Sequence, residues 1–318
     1  MAHAPILAHP APDEPLAALG IQVLERGWLS ANSVVMRTEA GGLVVDTGYA
    51  SHARQTVALI RQALDGQTLA QVVNTHLHSD HCGGNAALLE AWPAARVAIP
   101  PGQASAVRHW DPVALTYTPT GQFCPRFDYD ELLWPGGRLR AGALRWDVRS
   151  APGHDPHAVL LHEPEHGVLI SGDALWGNGF GVVFPELDGV DAFEEVGATL
   201  DLIEALAPST VIPGHGPVFR GEEVGIALAR ARSRLDQFRR DPAKHRSHAL
   251  KVLVKFKMLE WQRVELAQLQ SWFAASDYFL RIARMDHPGT PSEVLDMLLA
   301  DLSRVQALAM DGAWVCNR

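Results

Sequence analysis

The chain has 318 residues, of which 47% are hydrophobic and 20% charged, with a formal net charge of −9. This composition excludes a disordered or fibrous protein and is typical of a globular chain with one large domain, or a large and a small one. The three cysteines, Cys82, Cys124 and Cys316, lie far apart without a C-x-x-C pair, which argues against a disulfide framework and a thiolate zinc site.

Charge is distributed unevenly along the chain. Residues 221–318 carry 15 Lys and Arg against 12 Asp and Glu, a net charge of +3, so residues 1–220 carry a net charge of −12. This change of sign predicts a catalytic domain over 1–220 and a second domain over 221–318. With no secretory leader and no apolar run of the ~20 residues that cross a bilayer, we expect a cytoplasmic protein that does not enter a membrane.

The first elements in chain order are strands, then a helix. Residues 33–46, SVVMRTEAGGLVVD, hold two β-branched runs separated by Ala40-Gly41-Gly42, which predicts a hairpin. Apolar positions at helical spacing follow over 52–66, and the short run LAQVVN at 69–74 is typical of a buried strand.

The alternation of helices and strands then continues to residue 216. We predict helices at 85–92 and 191–206, strands at 95–100, 144–154 and 210–216, and a hairpin that turns at Glu165 to Gly167. The polar candidates described below follow the carboxyl ends of these strands, where loops hold functional groups on a rigid scaffold.

One segment, 102–137, has no clear period and is rich in Pro, Gly and aromatic residues. A stretch of this length without regular structure is typical of a lid or a binding loop. Its aromatic residues serve either as loop anchors in the core, which we favour, or as a substrate platform, and a tyrosine here could donate to an oxyanion. They are Trp110, Tyr117, Phe123, Phe127, Tyr129 and Trp134.

Directly after the strand at 69–74, four metal-binding side chains occur within six residues. His76, His78, Asp80 and His81 form the pattern H-x-H-x-D-H. Imidazole and carboxylate are good ligands for divalent ions such as zinc. If the strand continues to this point, His76 and His78 leave the same side of it, because side chains alternate with a period of two. The motif therefore predicts a metal site.

Three further candidates follow apolar runs later in the chain. His154 lies in Ala-Pro-Gly-His, and His215 lies in Pro-Gly-His-Gly. Asp173 ends the apolar run at 169–173, where an unpaired carboxylate is costly to bury and a metal ion would neutralise it.

Together these residues resemble the metallo-β-lactamase superfamily over about residues 20–220. The resemblance implies an αββα sandwich, an α/β fold, with a first ion on His76, His78 and His154. It also implies a second ion on Asp80, His81 and His215, and Asp173 as the bridge between the two ions. Asp46 matches the early acidic residue that supports the metal loop from behind its ligands.

Departures from the family's sequence pattern argue against several branches of the superfamily. Asp173 is present and no cysteine is suitably placed, which argues against the antibiotic-hydrolysing enzymes. The flavodiiron branch usually has Glu where His78 stands. After His154 the chain reads Asp155-Pro156-His157 rather than the usual family sequence, and the basic residues that bind glutathione in glyoxalase II have no clear match.

The resemblance implies a metal-dependent hydrolase. Two ions ~3.5 to 4 Å apart could share a bridging hydroxide that attacks a small ester, thioester or lactone, with Asp80 as the proton-handling catalytic residue. Zinc is the expected metal, with iron or manganese as alternatives. Two other functions stay open: a mononuclear iron oxidoreductase of the persulfide dioxygenase type, and an endoribonuclease-like phosphodiesterase.

The last third is predicted to be a small, mainly helical domain, with helices at 247–260, 264–274 and 292–309. It resembles the winged-helix-like domain that is attached to some hydrolases of this superfamily. Residues 228–257 carry ten Lys and Arg against two acids. This pattern indicates a solvated helical face or, alternatively, attraction of an anionic substrate such as a coenzyme A ester, a phosphate-bearing acyl thioester or RNA. A nucleic acid partner is disfavoured because the whole chain is acidic, and a homodimer is left open.

Overall fold

The computed structural model describes residues 13–318. Its first part is built around a six-stranded sheet in the order β1-β2-β3-β4-β5-β6. The elements of this part are α1 (Glu14–Ala18), β1 (Ile21–Leu24), β2 (Ser33–Thr38), β3 (Gly41–Val45), α2 (Ala53–Leu64), β4 (Leu69–Val73), α3 (Ser79–Cys82), α4 (Asn85–Ala91), β5 (Arg96–Ile99), α5 (Ala104–His109) and β6 (Glu131–Leu132).

The first three strands form an antiparallel meander, and β4, β5 and β6 join it in parallel. Thr38 pairs with Gly41, so the predicted hairpin is confirmed and turns at Glu39 and Ala40. Parallel pairing at β3 and β4 needs a crossover connection, which α2 supplies.

A second six-stranded sheet has the order β12-β11-β10-β9-β8-β7. Its elements are β7 (Arg138–Ala141), β8 (Leu144–Ser150), β9 (Val159–Glu163), β10 (Val168–Gly172), α6 (Phe184–Leu187), α7 (Phe193–Leu206), β11 (Thr210–Pro213) and β12 (Phe219–Arg220). Only β10 and β11 are parallel, and α7 forms the crossover between them. The hairpin predicted between β9 and β10 is confirmed.

The two sheets face each other across an apolar core. On β2, Val34 and Met36 belong to the cluster that joins the sheets, whereas Val35 packs on the opposite face with Ile60 of α2. Strands covered on both faces need apolar residues at every position, which explains the continuous Val, Leu and Ile runs. The second sheet is covered in the same way by α7, so the predicted αββα sandwich is confirmed.

The chain after residue 220 is mainly helical. Its elements are α8 (Glu222–Arg240), α9 (Pro242–Trp261), β13 (Arg263–Glu265), α10 (Leu266–Ala274), α11 (Asp277–Asp286), α12 (Pro291–Arg304), β14 (Leu308–Asp311) and β15 (Trp314–Asn317). Leu228 and Leu235 of α8 pack in the same cluster as Leu200 of α7. A separate cluster joins α9 to α12. The division at residue 220 stays a prediction.

Several predicted bounds were wrong in this region. The helix predicted over 264–274 begins at Leu266, because Arg263–Glu265 pairs with β15 instead. The helix predicted over 292–309 ends at Arg304, because the residues from Leu308 onward form a β hairpin. The sequence analysis also missed α11, which packs against α9 and α12.

The segment 102–137 is more ordered than predicted. It contains α5 and β6, and β6 extends the first sheet beside β5. All three cysteines are free. Within residues 13–318, no helix is both long enough and apolar enough to cross a membrane.

Candidate metal centre

The seven predicted ligands converge at one edge of the sandwich. Their potential ligand atoms form two groups, and within each group the atoms lie within 4.8 Å of one another. The first group is His76, His78 and His154, and the second is Asp80, His81, Asp173 and His215.

The ends of neighbouring strands place these side chains. Asp173 directly follows β10, and His215 follows β11, its parallel neighbour, by two residues. The period-two argument for His76 and His78 was wrong, because β4 ends at Val73 and both histidines lie in the loop beyond it. The loop nevertheless brings their ring centroids to 4.6 Å.

In the first group, imidazole nitrogens approach one another closely. His78 Nδ1 lies 2.8 Å from His154 Nε2, and His154 Nδ1 lies 2.5 Å from the carbonyl oxygen of Val182, to which it can donate. Burial, with the neighbouring His78, lowers the pKa of His154 to about 4. Burial and three histidine neighbours hold the pKa of His76 well below its usual value. Neutral imidazoles are the form that binds a metal ion.

Asp173 lies between the two groups and reaches both. Its Oδ1 is 3.3 Å from His81 Nε2, and its Oδ2 is 3.4 Å from His154 Nε2. In the second group, His215 Nε2 is 3.0 Å from Asp80 Oδ2. A carboxylate with one oxygen near each group has the geometry of a ligand that can serve two ions.

The carboxylates of the second group make a positive charge favourable at this position. Burial alone would raise the pKa of Asp80 and Asp173, but the neighbouring histidines, His81 first, outweigh it and lower both. Burial would likewise lower the pKa of His81, yet the carboxylates of Asp173, Asp46 and Asp80 raise it well above its usual value. The carboxylates of this group therefore favour a positive charge beside them, which a bound cation would supply.

Two observations support a fit between these residues and metal ions. Among the described residues, His76 Nε2 is buried and has no hydrogen-bond partner, an arrangement that is costly unless a ligand satisfies it. The backbone also leaves room. A Cβ at Gly214 would come 2.2 Å from Asp173 Oδ1, and one at Gly181 would come 2.4 Å from His154 Nδ1.

Asp46 contacts the second group from behind. Its Oδ2 is 2.8 Å from His81 Nδ1, while Thr75 donates its backbone N–H to Oδ1 at 2.9 Å and its hydroxyl to Oδ2 at 2.8 Å. Asp46 itself has a φ of 59°, a left-handed conformation that is unfavourable for most residues. The contacts are those expected of a residue that orients a metal-binding histidine.

Sequence reasoning missed several residues around the ligands. Trp28 stacks on His215 with ring centroids 5.4 Å apart, and Phe184 lies 4.8 Å from the ring of His78. Asp155 Oδ2 is 3.6 Å from His78 Nε2, on the ring edge opposite His154. Trp176 donates its indole N–H to Asp173 Oδ1 at 3.1 Å. The contacts of Trp28, Phe184 and Asp155 could not be found from the sequence, since no local pattern distinguishes these residues.

The aromatic segment 102–137 serves largely as a structural anchor. Tyr117 is buried and donates its hydroxyl to the carbonyl of Leu77 at 2.9 Å, so it does not face the ligand atoms as an oxyanion donor would. Phe127 is also buried, whereas Phe123 and Trp134 are each 61% exposed. The favoured interpretation of these residues as core anchors therefore holds for Tyr117 and Phe127.

Comparison with known proteins identifies the class. Residues 26–215 match the sequence profile of the metallo-beta-lactamase superfamily, and the chain belongs to this superfamily. A crystal structure of a protein in a di-iron-bound form superposes with a TM-score of 0.52 at 28% identity, covering 66% of this chain and 97% of that one.

Two curated relatives are named as hydrolases. The chain is 32% identical over 178 residues to a hydroxyacylglutathione hydrolase of Aeromonas salmonicida. This match covers 56% of this chain and 58% of that protein. It is 25% identical over 234 residues to an acyl-coenzyme A thioesterase of Gallus gallus, covering 66% of this chain and 82% of the relative. The match to the Aeromonas enzyme thus spans little more than half of its length.

Proposed function

We propose that the chain is a dinuclear metal-dependent hydrolase of a small ester, thioester or lactone. His76, His78 and His154 would hold one ion, and Asp80, His81 and His215 the other. The observation that carries the proposal is Asp173, whose two oxygens lie 3.3 Å from His81 Nε2 and 3.4 Å from His154 Nε2.

When bound, the two ions would supply Lewis acidity and a water acidic enough to act as a nucleophile at neutral pH. The protein supplies the surroundings. We propose Asp80 as the catalytic residue as well as a ligand: its Oδ2, 3.0 Å from His215 Nε2, would hold a proton during turnover. Phe184 and Trp28 cover the outer imidazoles and limit the access of bulk water.

Among the three substrate types, a thioester is favoured. Both relatives described above carry names of thioester-cleaving enzymes. Zinc is the proposed metal because the ligands are imidazole and carboxylate, and the di-iron form of a structural relative supports iron as the alternative.

The rival function, a mononuclear iron oxidoreductase, would use one ligand group. The second group here has four potential ligands, of which His81, Asp173 and His215 are buried, and this favours two ions. No specific observation favours the endoribonuclease alternative.

Elemental analysis of protein purified without added metal, followed by a thioester panel, tests the proposal. We expect two equivalents of metal per chain, and hydrolysis that is lost on chelation and restored by adding metal. His215→Ala should lower the metal content toward one equivalent, whereas His166→Ala, a histidine on the β9–β10 turn, should not. One equivalent of iron with oxygen-dependent turnover, or chelator-insensitive activity, would contradict the proposal.

A further inference from the structure

A basic groove lies beside the metal centre. It is a cavity of about 780 Å³ between α8, the start of α9 and the loop around Asn178. Arg230, Arg234, Arg240 and Lys244 line it, and Asp241 is the only acid among its lining residues. We call these four cations and Asp241 the basic groove. Its positive charge stands out in a chain whose net charge is −9.

Two of the four cations have no acidic partner. Lys244 lies 3.7 Å from Asp241 and Arg240 lies 4.0 Å from Asp236, both in exposed pairs of little strength. Arg230 and Arg234 have no carboxylate oxygen within 4.0 Å in the part of the chain from 13 to 318. A guanidinium keeps its charge even when partly buried, so both remain cations in need of an anion.

The neutral contacts of these two arginines fix where they point. Arg230 donates from Nη1 to the carbonyl of Gly177 at 3.1 Å and to the side-chain oxygen of Asn178 at 3.2 Å. Arg234 is half-buried and donates from Nη1 to the carbonyl of Phe180 at 3.5 Å. Each guanidinium has five N–H donors, so most of them stay available to a ligand in the groove.

The basic groove adjoins the proposed active site. A neighbouring cavity of about 490 Å³ is lined by His215 and Trp176 together with Arg230 and Asn178, the last two of which also line the groove. Trp176 in turn donates to Asp173. One extended molecule can therefore reach from the groove to the metal ligands.

The number of cations indicates the kind of anion. A single carboxylate would satisfy one guanidinium and leave the others unpaired, whereas several phosphates can accept from all four side chains. We infer that the basic groove binds the phosphate-bearing nucleotide tail of a thioester substrate of the coenzyme A type. This inference rests on the proposed hydrolase function and adds to it the substrate class and the residues that select it.

Binding of adenosine 3′,5′-bisphosphate to the metal-loaded full chain, measured by calorimetry, tests the groove without catalysis. The double variant Arg240→Gln/Lys244→Gln should weaken this binding by about tenfold, because two charge-assisted contacts are lost. The matched control is Arg140→Gln/Arg145→Gln, which removes the same charge from exposed positions on β7 and β8 and should bind like the parent.

A kinetic arm compares two thioesters of one acyl group, on coenzyme A and on N-acetylcysteamine, which has no phosphate. The parent should show a lower KM for the coenzyme A thioester, and the groove variant should reduce this preference by about tenfold. An equal preference in parent and variant would overturn the inference, as would inorganic phosphate that competes as strongly as the bisphosphate.

Two further outcomes distinguish a failure of the groove inference from a failure of the proposed function. If the bisphosphate binds and the groove variant weakens this binding, yet no ester, thioester or lactone is cleaved, the groove stands and the proposed function fails. If simple thioesters are cleaved but the bisphosphate does not bind, the function stands and the groove inference fails. A single-stranded RNA oligonucleotide that binds more tightly than the bisphosphate, and is lost in the groove variant, would overturn the inference in favour of a nucleic acid site.

Discussion

The candidate metal centre and the basic groove adjoin each other but differ in how far their charged side chains are exposed to solvent. The side chains of His81 and Asp173 are 0% and 5% exposed, whereas those of Arg240 and Lys244 are 80% and 56% exposed. Charges in a buried site are poorly screened, and each one must be compensated by a neighbour. Charges in an exposed groove are screened by water and salt. Changes at the metal centre should therefore have large effects, and changes in the groove small ones.

The largest effect is expected for Asp173→Asn. The change keeps the shape of the side chain but removes the negative charge that the two ligand groups share. We expect kcat/KM for thioester hydrolysis to fall by about 1,000-fold or more, with loss of bound metal. Steady-state kinetics and elemental analysis of the same preparation measure both.

Glu163→Gln is the matched control, since Glu163 is also a buried carboxylate but contacts His166 on a distant turn. It should keep its metal and its activity. An Asp173→Asn protein with two equivalents of metal and near-parental kcat/KM would show that this carboxylate is not shared between ions.

Asp46→Asn should have the next largest effect. Its carboxylate orients His81 across 2.8 Å without belonging to either ligand group. Loss of such support commonly costs about 10- to 100-fold in metal affinity or activity. Competition with a chromogenic chelator measures the affinity, and an unchanged affinity would show that Thr75 and the loop hold His81 unaided.

The strands of the sandwich could be predicted from the sequence because they are covered on both faces, whereas the αββα arrangement was implied by the family resemblance. Runs such as Val34 to Met36 and Val159 to Leu161 are apolar at every position, a local feature that survives in the sequence. The predicted helix bounds after residue 260 were wrong for a different reason. Whether Arg263–Glu265 forms a helix or a strand depends on its pairing with β15, about 50 residues away in the chain.

The candidate metal centre likewise contains residues that the sequence reveals and residues that only the tertiary fold brings in. His76, His78, Asp80 and His81 are close in sequence and are recognisable by spacing alone. Asp155 and Trp28 reach the site only through the tertiary fold, so no spacing could indicate them. The basic groove could be predicted only in part. The ten basic residues of 228–257 are evident in the sequence, but the placement of four of them around one cavity is not.

A smaller effect concerns the stability of the loop that leads from the metal centre. His245 accepts the backbone N–H of Val183 at 3.1 Å, next to the carbonyl of Val182 that lies 2.5 Å from His154 Nδ1. Burial, together with His248 and Arg246, lowers the pKa of His245 to about 3. Since the folded pKa lies below the unfolded value of 6.5, stability is present above pH 6.5 and is lost as pH falls toward 3.

His245→Gln keeps an acceptor for Val183 but does not titrate. Between pH 7 and pH 5, the parent should lose about 1 to 2 kcal/mol more of its free energy of unfolding than the variant does. Urea unfolding at both pH values measures the difference. Parallel losses in the two proteins would mean that His245 is protonated in the folded state.

The smallest effect is expected from salt, and it contrasts the two regions most directly. Raising the ionic strength from about 0.05 M to 0.5 M shortens the Debye length to well below 10 Å, which screens the exposed cations of the groove but not the buried ligands. The KM for a coenzyme A thioester should rise a few-fold, while metal content stays constant. The KM for the N-acetylcysteamine thioester, which has no phosphate to place among the cations, should change by a smaller factor. Equal salt effects on both substrates would place the origin of the salt effect outside the groove.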